Sequence, residues 1–127
     1  LGSEACWICY GEGGLDEIVP TGTTWISELK AGKISSFEVT PEAVGLTRSK
    51  PGDLRGGDAA QNAEALRAVL SGGKSAFRDA VVMTAGAALF MDGKAADYTA
   101  GVRAAEKAID SGSALAALEK LIRVSHS

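Results

Sequence analysis

Residues 5–18 read ACWICYGEGGLDEI, an apolar run that passes through three glycines into two adjacent acids, Asp16 and Glu17. A continuous apolar run bounded by glycine is typical of a strand buried on both faces, as in a parallel sheet. We therefore predict a buried, parallel-type strand over residues 5–10 and a flexible loop after it. Because a parallel strand needs partners and the sequence offers none, the run also predicts that the chain is part of a larger α/β sheet.

The remaining pattern predicts a hairpin followed by helices. Residues 23–29 and 33–39 form the two arms, and Lys30-Ala31-Gly32 forms the turn between them. A short helix is expected at Thr40-Pro41-Glu42 and an irregular loop over residues 47–57. Four helices are then predicted, over residues 58–70, 76–91 and 96–110 and around Leu115, Leu118 and Ile122. The second is apolar nearly all round, so we expect it to be buried.

Composition restricts the class of protein. The chain has 127 residues with a formal net charge of −3, and 46% of them are hydrophobic. These values are typical of a globular domain, and the mild acidity argues against a nucleic-acid partner. The longest uncharged apolar stretch, residues 80–91, is too short to span a membrane. No signal peptide is recognised at the start, so we expect the protein in the cytoplasm.

Asp16 and Glu17 are the strongest candidates for chemistry. They follow a predicted buried strand, and ligands of open α/β sheets lie beyond the carboxyl ends of strands. Mg²⁺ is commonly held by one or two carboxylates together with substrate phosphates. The pair therefore fits a metal–phosphate site, although a solvated acidic turn has the same sequence.

Other candidate residues have plainer explanations. Cys6 and Cys9 have the spacing of a zinc or redox motif, but residues three apart on a strand face opposite sides, and the only histidine, His126, is near the C-terminus. We expect two reduced, buried thiols. Asp58 of the Arg55-Gly56-Gly57-Asp58 segment is expected to cap a helix rather than to bind phosphate. Thr84 is expected to hydrogen-bond to its own helix, and both tryptophans are expected in the core.

Several strings, taken in order, resemble anthranilate phosphoribosyltransferase. GEGGLDEI at residues 11–18 is similar to the family's HGxDGLDEI segment, and TPE with GL at residues 40–46 is similar to a later one. The same holds for LRGGD at 54–58 with Asn62, for AGAAL at 85–89 with GKA, and for AIDSG at 108–112. The match spans essentially the whole chain, so the resemblance implies the C-terminal part of that family's α/β domain.

The resemblance implies a parent enzyme that transfers phosphoribose from phosphoribosyl pyrophosphate to anthranilate, with Mg²⁺, in tryptophan biosynthesis. It implies that Asp16 and Glu17 are the Mg²⁺ ligands and that the intact enzyme is a homodimer. The family's phosphate-binding glycine loop, its anthranilate-binding arginine and its N-terminal helical domain are not found in these 127 residues. We therefore predict that the chain by itself is incomplete and inactive.

The sequence departs from the family pattern at two positions and leaves other functions open. Tyr10 replaces the family's histidine and Thr84 its asparagine. Relatives of the pyrimidine nucleoside phosphorylase type share the fold, and a non-catalytic relative could bind nucleic acid. The Gly-Leu-Asp-Glu string favours the transferase, and the charge disfavours nucleic acid.

Overall fold

The computed structural model describes residues 2–126 and has a small sheet followed by helices. In chain order the elements are β1 (Ala5–Gly11), β2 (Thr24–Lys30), β3 (Lys33–Val39), two 3₁₀ helices (Glu42–Val44 and Pro51–Leu54), α1 (Ala59–Leu70), α2 (Ala76–Met91), α3 (Tyr98–Asp110) and α4 (Ser113–Ser125). The predicted fold class, a strand, a hairpin and four helices of an α/β domain, is confirmed.

The three strands form an antiparallel sheet in the order β1-β2-β3. Ala31 and Gly32 both have positive φ, 50° and 74°, which is the backbone of a tight two-residue hairpin turn, and Lys30 pairs with Lys33 across it. The hairpin prediction is thus confirmed. The prediction of a parallel strand without a partner is wrong, because the long loop after β1 returns the chain so that Cys9 pairs antiparallel with Ile26.

β1 is also less buried than its apolar sequence predicts. Its side chains alternate between two faces, and only the inner one, with Trp7 and Cys9, packs on the core. Ile8 on the outer face is 69% exposed, and Tyr10 lies beside Trp25, which is 42% exposed. The expectation of a core position is therefore wrong for Trp25. The apolar run of β1 gives the strand two apolar faces, and the helices cover only the inner one.

The core lies between the inner face of the sheet and the helices. Trp7 makes edge-on ring contacts with Phe37 of β3, Phe90 of α2 and Tyr98 of α3, so it joins all three elements. Burial raises the pKa of the Tyr98 phenol and of the Cys9 thiol. The centre of the core is formed by fully buried aliphatic side chains, which are Ile26, Val44, Val82, Met83 and Val102.

Helices α1, α2 and α3 begin where side-chain caps are available. Asp58, Ser75 and Asp97 each accept a hydrogen bond from the backbone N–H three residues further on. The predicted capping role of Asp58 is confirmed. Within residues 2–126, no helix is both long enough and apolar enough to cross a membrane.

Helices α2 and α3 approach each other unusually closely. A Cβ atom on Gly101 would lie 2.2 Å from the carbonyl oxygen of Gly86, so only glycine permits this contact. At the other end of the pair, the nearly buried Arg78 of α2 donates from Nη2 to Asp110 Oδ1 at 2.7 Å. The prediction that α2 is buried on all sides is wrong, because Thr84 and Ala88 are exposed on the side away from α3.

Replacement of Gly101 by alanine tests this helix contact. We expect Gly101→Ala to lower the free energy of unfolding by about 1–3 kcal/mol, because the added methyl group forces the helices apart. Thr99→Ala, at an exposed position of the same helix, is the control and should not destabilise the chain. Urea denaturation of the three proteins measures both effects, and equal stabilities would contradict the close packing.

Candidate metal centre

A tight turn follows β1 and leads into the acidic pair. The Gly11 N–H donates to the Leu15 carbonyl oxygen at 2.7 Å. The Gly14 and Leu15 N–H groups both donate hydrogen bonds to the Gly11 carbonyl oxygen. Gly13 and Gly14 have φ values of 87° and 84°, a backbone that other residues rarely adopt. The loop predicted to be flexible therefore has a defined, hydrogen-bonded geometry.

Residues 18–20 fix the loop on the far side of the pair, and we call them the loop anchor. Ile18, Val19 and Pro20 are buried, and the Val19 N–H donates to the buried Thr24 Oγ1 at 3.0 Å. The Pro20 carbonyl oxygen accepts from the Ser49 N–H at 2.9 Å, which joins the anchor to the later loop. A buried N–H group without an acceptor would be costly, so Thr24 is required at this position.

Glu12 closes the base of the loop. Its N–H donates to the Thr23 carbonyl oxygen at 2.8 Å, and its side-chain Oε2 accepts from the Thr23 N–H at 2.9 Å. Gly11 lets the backbone pack inside this closure, because a Cβ atom there would lie 2.8 Å from the Glu17 carbonyl oxygen. The two acids are thereby held between fixed points on either side.

The carboxylates of Asp16 and Glu17 are exposed, and no residue of 2–126 donates a hydrogen bond to them or forms an ion pair with them. Arg48 is already engaged, since it pairs with Glu42 at 2.8 Å and holds the pKa of that carboxyl at about 2. Two free carboxylates on a constrained loop are hard oxygen ligands of the kind that Mg²⁺ prefers.

Glu17 lies beside a cavity. Together with Leu54 and Asn62, it is among the residues that line a space of about 630 Å³ between α1 and α2. Within the described part of the chain, no three His, Cys, Asp or Glu side chains gather closely enough to hold a metal ion. The residues present thus fit part of a Mg²⁺ site and require further ligands, such as substrate phosphates, to complete one.

The remaining candidates take structural roles or none. Cys6 and Cys9 are free thiols, and both are partly rather than fully buried. The Asn62 side chain accepts a hydrogen bond from the Gly57 N–H at 2.9 Å and donates one to the Gly57 carbonyl oxygen at 3.0 Å. These bonds fix the glycine segment before α1. The predicted hydrogen bond of the Thr84 hydroxyl to its own helix is absent from the described residues, and this side chain faces the cavity instead.

Gly11, Glu12 and Thr24 position the acidic pair, and sequence reasoning did not single them out. Their contacts join residues on opposite sides of a loop, so no local spacing reveals them. The one available signal was the apolar Ile18 and Val19 directly after two acids, which indicates that the chain enters the core there.

Replacement of Thr24 by valine tests whether the loop anchor depends on its hydroxyl. We expect Thr24→Val to destabilise the chain by about 1–3 kcal/mol, because the Val19 N–H loses its acceptor while remaining buried. Thr23→Val is the matched control, since Thr23 takes part in the loop closure only through its backbone. Chemical denaturation gives the free energy of unfolding of both variants. If Thr23→Val were as destabilised as Thr24→Val, the role of the Thr24 hydroxyl in the loop anchor would be contradicted.

The chain is similar to proteins of known activity. The chain is 54% identical over 123 residues to the anthranilate phosphoribosyltransferase of Azorhizobium caulinodans, which covers 97% of this chain and 36% of that protein. The corresponding Brucella ovis protein is 52% identical over 126 residues, covering 99% and 37%. The chain therefore spans about a third of the length of the curated relatives it matches.

Solved structures give the same result. The Thermus thermophilus anthranilate phosphoribosyltransferase superposes with a TM-score of 0.87 at 34% identity, over 97% of this chain and 36% of that one. The Saccharomyces cerevisiae enzyme in complex with PRPP and Mg has a TM-score of 0.80 at 27% identity, over 89% and 33%. Residues 1–115 match the family model described as glycosyl transferase family, a/b domain. On the strength of that match, the chain belongs to this glycosyl transferase family.

Proposed function

We propose that the chain forms part of an anthranilate phosphoribosyltransferase and that Asp16 and Glu17 are its Mg²⁺ ligands. The observation that carries the proposal is the pair of free carboxylates held between the tight turn and the loop anchor. The similarity to proteins named for this activity supports the choice of reaction. A solvated surface turn would not need a hydrogen-bonded closure on one side and a buried anchor on the other.

We also propose a domain organisation for the longer protein. The chain corresponds to the C-terminal portion of the phosphoribosyltransferase α/β domain, and an N-terminal part supplies the helical domain and the phosphate-binding loop. The intact enzyme would bind phosphoribosyl pyrophosphate and anthranilate, act as a homodimer and work in the cytoplasm. The Saccharomyces cerevisiae relative in complex with PRPP and Mg supports the first of these partners.

In the proposed reaction the amino nitrogen of anthranilate bonds to the ribose carbon as the bond from that carbon to pyrophosphate breaks, and the nitrogen then releases one proton to water. Negative charge then collects on the diphosphate, and positive charge develops on the sugar ring. Bound Mg²⁺ would supply positive charge that stabilises the leaving diphosphate. Asp16 and Glu17 would hold the Mg²⁺ ion at a fixed place, because the loop closure leaves their backbone little freedom to move during the reaction.

The chain by itself lacks the groups that the reaction needs. Two carboxylates hold part of a metal site, and the described residues bring together no third acidic, histidine or cysteine ligand. Turnover is therefore expected only when the remainder of the longer protein is present, and the isolated chain with both substrates and Mg²⁺ should form no product.

A hybrid protein tests the metal role directly. This chain replaces its matching third in the Azorhizobium caulinodans relative, and Glu17→Gln is compared with Glu64→Gln on the exposed face of α1. We expect Glu17→Gln to lower kcat by about a hundredfold and to raise the Mg²⁺ concentration that gives half-maximal rate, because one anionic ligand is lost. Thermal unfolding of both variants should match that of the parent hybrid.

The control separates a metal role from a general effect of charge. Glu64→Gln removes the same charge from an exposed residue that does not line the cavity beside Glu17, and it should retain full activity at every Mg²⁺ concentration. Unchanged activity of Glu17→Gln at low Mg²⁺ would contradict the proposal.

A further inference from the structure

Residues 40–50 join β3 to the second 3₁₀ helix and contact the loop that carries the acidic pair, and we call them the supporting segment. Near its end, the Ser49 N–H donates to the carbonyl oxygen of Pro20, in the loop anchor, at 2.9 Å. Near its start, Val44 is buried, and its carbonyl oxygen accepts from Nη2 of Arg103 in α3 at 3.1 Å. The supporting segment therefore links α3 to the loop anchor.

Arg48 extends this link to the other end of the loop. Its Nε donates to Glu42 Oε1 at 2.8 Å, and its Nη2 donates to Glu42 Oε2 at 3.2 Å. A bidentate pair of this kind fixes the plane of the guanidinium, which a single hydrogen bond does not. The pKa of Arg48 is raised first by this pairing with Glu42 and further by the charge of Glu12, so the guanidinium also lies near Glu12.

Glu12 is the residue that connects Arg48 with the acidic pair. Its Oε2 accepts from the Thr23 N–H at 2.9 Å, and its own N–H donates to the Thr23 carbonyl oxygen. A Cβ atom on Gly22 would overlap the same Oε2, so the carboxylate is packed directly against the backbone of the loop. A cation beside this carboxylate favours its charged form, which is the stronger hydrogen-bond acceptor.

We propose that Arg48 is a positioning residue for the acidic pair. From its fixed place on Glu42 it holds Glu12 against the base of the loop, and so keeps the loop in the shape that binds Mg²⁺. The inference rests on the proposed function, because it concerns how tightly that site binds its ion. Within residues 2–126, Arg48 makes no hydrogen bond or ion pair with either acid of the pair, so it acts through Glu12 and is not itself part of the metal centre.

The charge of Arg48 makes the inference testable, because positioning and simple electrostatics predict opposite results. A positive charge near a metal site repels the ion, so its removal alone should strengthen the binding of a cation. Loss of positioning should weaken the binding instead, because a looser loop must be ordered when the ion binds. The sign of the change in metal affinity therefore separates the two effects.

Mn²⁺ binding to the chain measures that sign. Arg48→Gln is compared with Arg67→Gln, which removes the same charge from an exposed position of α1. We expect Arg48→Gln to raise the Mn²⁺ dissociation constant, read from the broadening of the amide signals of residues 15–18, by about fivefold. Arg67→Gln should leave the dissociation constant unchanged. Arg48→Lys keeps the charge and can donate one hydrogen bond to Glu42, so its dissociation constant should lie between those of Arg48→Gln and the unmodified chain.

The Arg48→Gln chain should remain folded, so that its metal affinity can be measured. Both side chains of the pair with Glu42 are about half exposed, and exposed ion pairs contribute little to stability. Urea denaturation should therefore give nearly the same midpoint for Arg48→Gln, Arg67→Gln and the unmodified chain.

Amide hydrogen exchange shows whether the effect passes through the loop. The Ser49 and Thr23 N–H groups donate the hydrogen bonds that join the supporting segment to the loop anchor and close the base of the loop. We expect both to exchange about tenfold faster in Arg48→Gln than in the unmodified chain. The Gly101 N–H of α3 is the internal control and should exchange at the same rate in both proteins.

The results also separate this inference from the proposed function. An Arg48→Gln chain that binds Mn²⁺ as tightly as the unmodified chain, or more tightly, would overturn the positioning role and leave the metal role of the acidic pair intact. Unchanged exchange of the Ser49 and Thr23 N–H groups would overturn it as well. If the unmodified chain bound Mn²⁺ no more tightly at residues 15–18 than at other exposed acids, the proposed function would be contradicted, and the positioning role with it.

Discussion

The loop anchor is the constraint on which the candidate site depends. Residues 18–20 are buried between the sheet and the helices, and the hydrogen bond from the Val19 N–H to Thr24 Oγ1 attaches them to the start of β2. The bond from the Ser49 N–H to the Pro20 carbonyl oxygen attaches the later loop to the same place. The loop of residues 12–23 would otherwise be free to move. These contacts restrict its backbone and so fix the positions of Asp16 and Glu17.

The position of this loop follows from how the sheet and the helices pack against each other. The sheet packs one face on α2 and α3, and the glycine contact between Gly86 and Gly101 brings those helices close enough to act as one layer. Glu17 of the acidic pair lines the cavity between α1 and α2. Helix α2 thus both supports the core and borders the candidate site.

Local pattern predicted the elements well but not how they meet. The cap at Asp58, the turn at Ala31 and Gly32 and the bounds of α2 are each encoded within a few neighbouring residues, and the sequence predicted them correctly. The third helix begins at Tyr98, two residues later than predicted, because Asp97 caps it. The direction of β1 depends on pairing across a long loop, which no short window contains. An apolar run was likewise interpreted as burial on both faces, although Ile8 is exposed here.

The sequence reveals the acidic pair but not the residues that hold it in place. Adjacent acids after an apolar run are visible in the sequence, whereas Glu12 and Thr24 act through single contacts with residues 11 and 5 positions away. The proposed reaction is based on the similarity to anthranilate phosphoribosyltransferases. The contacts of Glu12 and Thr24 explain independently why the loop holds the two carboxylates in place.

A titration of the ¹⁵N-labelled chain with Mn²⁺, followed by nuclear magnetic resonance, tests whether Asp16 and Glu17 bind a metal ion. Mn²⁺ takes the same oxygen ligands as Mg²⁺ and broadens the amide signals of residues near it. We expect the signals of residues 15–18 to broaden at the lowest Mn²⁺ concentrations, and those around Asp58 and Glu64 to broaden only at higher ones. Simultaneous broadening at all exposed acidic residues, or earlier broadening at another carboxylate, would contradict that expectation.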